Sequence, residues 1–101
     1  MASRLELHDE LVKLLGSQNV YFQPPASVQM KYPAIRYSLS NIEKWHADNT
    51  PYKQAKAYEL ILIDPDPDST FVDAISTLPY CRFDRYYPSD NLNHYVFTLY
   101  F

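Results

Sequence analysis

The sequence predicts an α+β domain: a mainly antiparallel β-sheet with two helices packed on one face and a long projecting β-hairpin. Three observations lead there. Apolar residues recur at helical spacing in only two short segments, while elsewhere they alternate with polar residues as in strands with one dry face. A chain of 101 residues suffices for one core and not two, so residues 1–101 read as a single domain. Hydrophobic residues make up 47% and aromatics 16% of it at a formal net charge of -3, enough apolar area to offset the ordering entropy of a compact fold.

The first helix opens with Ser3 placed three residues before Glu6 as a capping box, and Leu7, Leu11, Leu14 and Leu15 recur on one face. Gly16, the one glycine, stands where a left-handed C′ residue ends a helix. His8, Asp9, Glu10 and Lys13 are expected to face away. Val20 to Phe22 is a short strand ended by Pro24-Pro25, with Val28 to Tyr32 a second segment that extends or pairs. From Ala34 to Trp45, Ile35, Tyr37 and Leu39 alternate with Arg36, Ser38 and Ser40, and the alternation slips at Asn41-Ile42 as at a bulge. His46 to Tyr52 is a polar turn, after which Ala55 to Ile63 resumes the strand with Tyr58, Leu60 and Leu62 on one side.

The run Asp64-Pro65-Asp66-Pro67-Asp68 is a stiff linker, because two prolines interrupt a hydrogen-bond ladder. Thr70, three residues before Asp73, caps a second helix whose apolar face is Phe71, Val72, Ile75 and Leu78, and Pro79 forbids continuation. Strands at Tyr80 to Arg85 and Leu92 to Phe101 close the chain around a turn at Tyr86 to Asn91. In the last strand Tyr95, Phe97, Leu99 and Phe101 alternate with His94, Val96, Thr98 and Tyr100.

Little of this chemistry points to catalysis. Asp64, Asp66 and Asp68 invite comparison with an oxygen-rich cation loop, but the sixth and twelfth positions of an EF-hand loop would be Ser69 and Ile75 instead of Gly and Glu. Favourable interaction with the dipole of the helix that follows explains the acids without a metal. A single Cys81 excludes an internal disulfide, and on a strand between aromatic neighbours it reads as a small buried hydrophobe rather than a nucleophile served by His46 or His94. One glycine is too few for a phosphate-cradling loop. The expectation is a protein without catalytic residues, metal or cofactor. No apolar run approaches the roughly 20 residues needed to cross a bilayer, and charges between Met1 and His8 stand where a signal peptide is apolar. A soluble protein made in a cytosol is therefore expected.

Aromatic and basic residues interleave in Arg82-Phe83-Asp84-Arg85-Tyr86-Tyr87, a composition able to stack on bases and neutralise phosphates. Acids outnumber bases twelve to nine, however, and no basic cluster exceeds two residues, which favours a protein contact over nucleic acid. Ten tyrosines exceed what one small core needs, so some lie at a surface. The oligomer or partner interface candidates are Trp45, His46, Tyr52, Arg82, Arg85, Tyr86 and Tyr87.

The segments ELILIDPDPDS and LPYCRFDRYYPSDNLNHYVFTLYF, with VYFQPP and the KYPAIRYSLS strand before them, resemble the tail terminator family of tailed bacteriophages, also called tail completion or tail-to-head joining proteins. That resemblance implies an α+β subunit of the virion, assembled as a homo-oligomeric ring, typically a hexamer, at the head-tail junction. Such a ring caps the tail tube, stops its polymerisation and docks to the head connector protein, with DNA passing through the lumen without specific binding. The alternatives are a head-completion (stopper) or minor capsid protein of the same gene cluster and, in another class, a small metal-dependent nucleic-acid-processing enzyme using the three aspartates.

Overall fold

The computed structural model describes residues 4–47 and 50–101, with side chains described for 4–42 and 56–101. Its elements run α1 (Arg4–Leu15), β1 (Val20–Phe22), β2 (Ala34–Ala47), β3 (Thr50–Asp64), α2 (Thr70–Ser76), β4 (Cys81–Ser89) and β5 (Leu92–Tyr100). The five strands form one mixed sheet in the order β1-β2-β3-β5-β4. β1 lies parallel to β2, whereas the β2/β3, β3/β5 and β5/β4 pairs are antiparallel.

Alternation decides which face of the sheet is dry. Ile35 and Tyr37 of β2, Tyr58, Leu60 and Leu62 of β3, and Phe97 and Leu99 of β5 are buried together with Leu7, Leu11 and Leu15 of α1 and Ile75 of α2. Leu14, expected in that stripe, is only half-buried, and so are Phe71, Val72 and Leu78 around α2. Gly16 follows α1 with φ of +75°, a left-handed conformation that costs a residue without Cβ nothing extra. Ser3, the expected cap, lies outside the described residues.

Several boundaries differ from the sequence pattern. Ser69, with extended backbone angles, caps α2 by accepting the Phe71 N–H on its Oγ at 3.3 Å, whereas Thr70 is already helical. α2 also ends at Ser76, before Pro79 intervenes: the Thr77 N–H still reaches the Asp73 carbonyl at 3.2 Å, but the Leu78 N–H closes a tighter turn on the Ile75 carbonyl at 3.1 Å. Val28 to Tyr32 forms no strand: the Val28 N–H closes a turn on the Pro25 carbonyl at 3.1 Å, and the Lys31 N–H is taken by the Tyr21 hydroxyl at 3.3 Å.

β2 and β3 continue further than expected, pairing out to Ala47 with Thr50, with register shifts at Leu39/Asn41 and Trp45/His46. The first shift is the bulge that the slip at Asn41-Ile42 predicts. β5 accompanies β3 from Ala57 to Asp64 and Phe101 adds one more bond, its N–H to the Lys56 carbonyl at 3.1 Å; beyond Lys56, among the described residues, β3 is paired with β2 alone.

The turn placed at Tyr86 to Asn91 is shorter than the pattern implied, because Tyr86, Tyr87, Pro88 and Ser89 belong to β4. Only Asp90 and Asn91 turn the chain, both at positive φ (53° and 62°), the two-residue hairpin geometry that matches strand twist and that Asp and Asn tolerate. Pro88 is accepted because β4 is an edge strand.

The face of the sheet away from the helices is not uniformly polar. Ala34, Ala57, Ile63 and Val96 are buried there. Val96 sits directly between Ile61 and Arg85 on the flanking strands, so the neighbouring side chains shield it across the sheet surface.

Phe97, fully buried and edge-on to Phe83 at 5.6 Å, lies on the strand that joins β3 to β4. Phe97→Ala is expected to cost about 3–5 kcal/mol. Urea unfolding followed by circular dichroism measures this, and a loss below about 1 kcal/mol would contradict the assigned face of β5.

Candidate functional site

Two of the three aspartate carboxylates, those of Asp64 and Asp66, meet the needs of their own loop. Asp64 is buried at the end of β3 and accepts the Asp66 N–H on Oδ1 at 2.8 Å, and Asp66 in turn accepts the Asp68 N–H at 2.9 Å. Successive turns of this kind stiffen a proline-rich linker, since each carboxylate takes a backbone donor that would otherwise seek water. Among the described residues no three His, Cys, Asp or Glu side chains converge on a point where a cation would sit.

Cys81 begins β4 half-buried, and burial pushes its thiol above the usual range, away from thiolate character. It shares a shallow depression with Tyr80, Arg82, Thr98 and Tyr100. His94 is turned elsewhere: its ring stacks on Tyr87 at 4.8 Å and 18°.

The polar centre of the helix-sheet contact is Tyr37. It is 1% exposed, yet its hydroxyl meets Arg4 Nη1 at 3.2 Å and His8 Nδ1 at 2.8 Å. His8 therefore does not face solvent as the helical pattern suggests but leans, half-buried, onto the sheet. The Arg4 guanidinium also lies 4.4 Å from the centre of the Phe22 ring.

The interface candidates divide. Arg82, Arg85, Tyr86 and Tyr87 come together on β4 at the sheet edge. The side chains of Trp45, His46 and Tyr52 lie outside the described residues. The edge also displays two aromatics that sequence reasoning did not single out: Tyr80, 83% exposed, and Phe83, 50% exposed, beside Tyr86 at 48%. The alternation of Cys81 and Phe83 with Arg82 could have flagged Phe83. What the pattern lacked was the knowledge that, among the described residues, β4 ends the strand order.

These edge rings are held in place from inside. Phe83 abuts Phe97 at 5.6 Å, Tyr86 leans on Tyr95 at 5.2 Å, and Tyr87 stacks on His94. The Tyr86 hydroxyl donates to Asn93 Oδ1 at 2.8 Å, and Asn93 Nδ2 donates to the carbonyls of Asp64 and Pro65. An aromatic side chain already fixed before a partner arrives loses little entropy on binding. Arg85 Nη1 contacts Asp84 Oδ2 at 2.9 Å, an exposed pair adding little to stability but defining local charge. The arrangement is equipped for macromolecular contact through rigid aromatics flanked by guanidinium groups.

Burial raises the Tyr37 phenol above its ordinary range, with Arg4 opposing the shift, and burial followed by the negative charges around it raises Tyr95. A raised folded-state value means that the unfolded chain gives up these protons first. Their contribution to stability is therefore fully present below about pH 10 and lost as pH climbs through the higher folded-state values. Urea midpoints measured from pH 8 to 12 are expected to fall across the alkaline limb, with a shallower fall for Tyr37→Phe. No protein family's sequence profile and no curated protein matches this chain.

Proposed function

We propose that this protein is a noncatalytic virion subunit of the tail terminator type, forming a six-copy ring at the head-tail junction of a tailed bacteriophage. In that role it caps the tail tube, ending tube growth, and presents a docking surface to the head connector protein. The observation that carries the reading is the ordered aromatic and arginine edge of β4, which is built for protein contact. Sequence resemblance across ELILIDPDPDS and the β4–β5 segment supplies the kind of assembly.

A second support is the far portion of the β2/β3 hairpin, where β3 has only β2 beside it. We assign this portion as a projecting arm that reaches a neighbouring subunit or the tube, with Trp45, His46 and Tyr52 as its contact residues. Rotationally closing, head-to-tail contacts give a ring with two different ends, as required of a piece joining tube to connector. A net charge of -3 suits a lumen through which DNA slides, since phosphate contacts would retard it.

Light scattering coupled to size exclusion, together with negative-stain images, is expected to show discrete rings that survive chelator. Trp45→Ala is expected to shift the population toward folded monomer with an unchanged circular dichroism spectrum. Binding to tail-tube ends supports the terminator role. Binding to portal complexes alone replaces it with the head-completion role, and a monomer stabilised by a divalent ion overturns the reading.

A further inference from the structure

We infer that β4 pairs edge to edge with β4 of a second copy of this chain, antiparallel and about a twofold axis through the Asp84–Arg85 peptide. The inference rests on the reading of the β4 edge as a self-association surface, and it adds the partner segment and its register.

Directly opposed residues in a sheet share a face, so Cys81, Phe83, Tyr86 and Pro88 lie on the helix-covered side with Leu99, Phe97, Tyr95 and Asn93. Arg82, Arg85 and Tyr87 lie on the other side with Thr98, Val96 and His94. The register shift between Phe83 and Arg85 leaves Asp84 as the extra residue of a bulge, and its carboxylate meets Arg85 at 2.9 Å. From Cys81 to Pro88 the faces therefore run covered, open, covered, open, open, covered, open, covered. That order is the same in both directions. A strand of strict period two cannot have this symmetry about a peptide bond, and the bulge creates it.

Antiparallel pairing about that bond brings like faces together throughout. Asp84 stands against the partner's Arg85 and Arg85 against the partner's Asp84. Phe83 meets the partner's Tyr86 on the covered side and Arg82 meets the partner's Tyr87 on the open side, and there the ladder ends: Cys81 lies opposite the partner's Pro88, but its N–H already goes to the Leu78 carbonyl at 3.3 Å and proline has no donor to offer. Opposite charges and aromatic pairs in directly opposed positions are the favourable cross-strand combinations. Other registers fail on the same criteria. A slip of one residue sets Asp84 or Arg85 against its own copy and crosses the faces. A slip of two sets Arg82 against the partner's Arg85 in one direction and Arg85 against the partner's Tyr86, from opposite faces, in the other.

Such a bulged, charged edge resists indiscriminate strand addition while admitting one partner strand. The contact is isologous, without polarity, and so is a pairing of free subunits, distinct from the head-to-tail contacts of a ring.

Two measurements test the pairing, both on the full chain. In sedimentation velocity up to about 1 mM, appropriate for a small interface, Asp84→Arg and Arg85→Asp are each expected to weaken dimerisation by about tenfold. The double variant D84R/R85D is expected to restore it, because the charges remain complementary after the exchange. Both side chains are exposed, at 45% and 56%, so the fold tolerates these changes, and circular dichroism verifies it. In the second measurement, Pro88→Cys places a thiol opposite the partner's Cys81, and mild oxidation is expected to give a covalent dimer on non-reducing gels. Seven residues of extended strand, roughly 23 Å, prevent closure within one chain. Assembly that is indifferent to the single charge reversals, or a double variant as weak as the singles, refutes the β4 pairing and leaves self-association through another surface standing. A wild-type chain that stays monomeric throughout refutes both.

Discussion

The contact between α1 and the sheet, centred on Tyr37, is the constraint on which the rest of the structure depends. Its ring touches those of Phe22 on β1, Tyr58 on β3 and His8 on α1, while its hydroxyl is held by Arg4 and His8. One side chain thus ties a helix to three strands. A phenol is suited to the position because its body fills the apolar layer and its tip reaches partners at the edge of that layer. Among the described residues no buried side-chain nitrogen or oxygen lacks a hydrogen-bond partner, so this polar insertion is balanced.

With the helices on one face, the other face and the two edges meet solvent or partners. β1 is short and its continuation is blocked by Pro24-Pro25, which limits strand addition on that side. β4 is long, and its outer residues are aromatic and charged. Every large ring on it is backed by a ring of the adjacent strand, so the core extends its rigidity to the margin. The same bulge that twists β4 also sets which face each outer side chain occupies, linking a backbone irregularity to the chemistry of the proposed contact.

Much of the architecture was legible in the residues. Period-two runs around Tyr37, Leu60 and Phe97 mark the dry face, and the leucines before Gly16 mark α1. The glycine itself marks the helix end through backbone freedom alone. Errors fell where a residue has two plausible partners. Ser69 and Thr70 are both good caps, and only the backbone angles at Ser69 choose between them. Tyr86 to Pro88 resembles turn sequence because proline lacks a donor, but at a sheet edge that donor is not needed. His8 sits on the polar side of a helical wheel, yet Tyr37, 29 residues away, draws it inward.

The sequence by itself determined the α+β class, the buried face of β3, β5 and the first half of β2 as far as Tyr37, though not Leu39, which is exposed, the helix stop at Gly16 and the concentration of arginine and tyrosine in residues 82–87, because these follow from local periodicity and side-chain chemistry. Only the tertiary structure decided that β1 runs parallel to β2, that β5 lies between β3 and β4, and that β4 consequently stands at an edge with Phe83 and Tyr86 uncovered. The physical reason is that strand order depends on contacts between residues distant in the chain. An alternating strand reads the same whether its neighbours lie on both sides or on one.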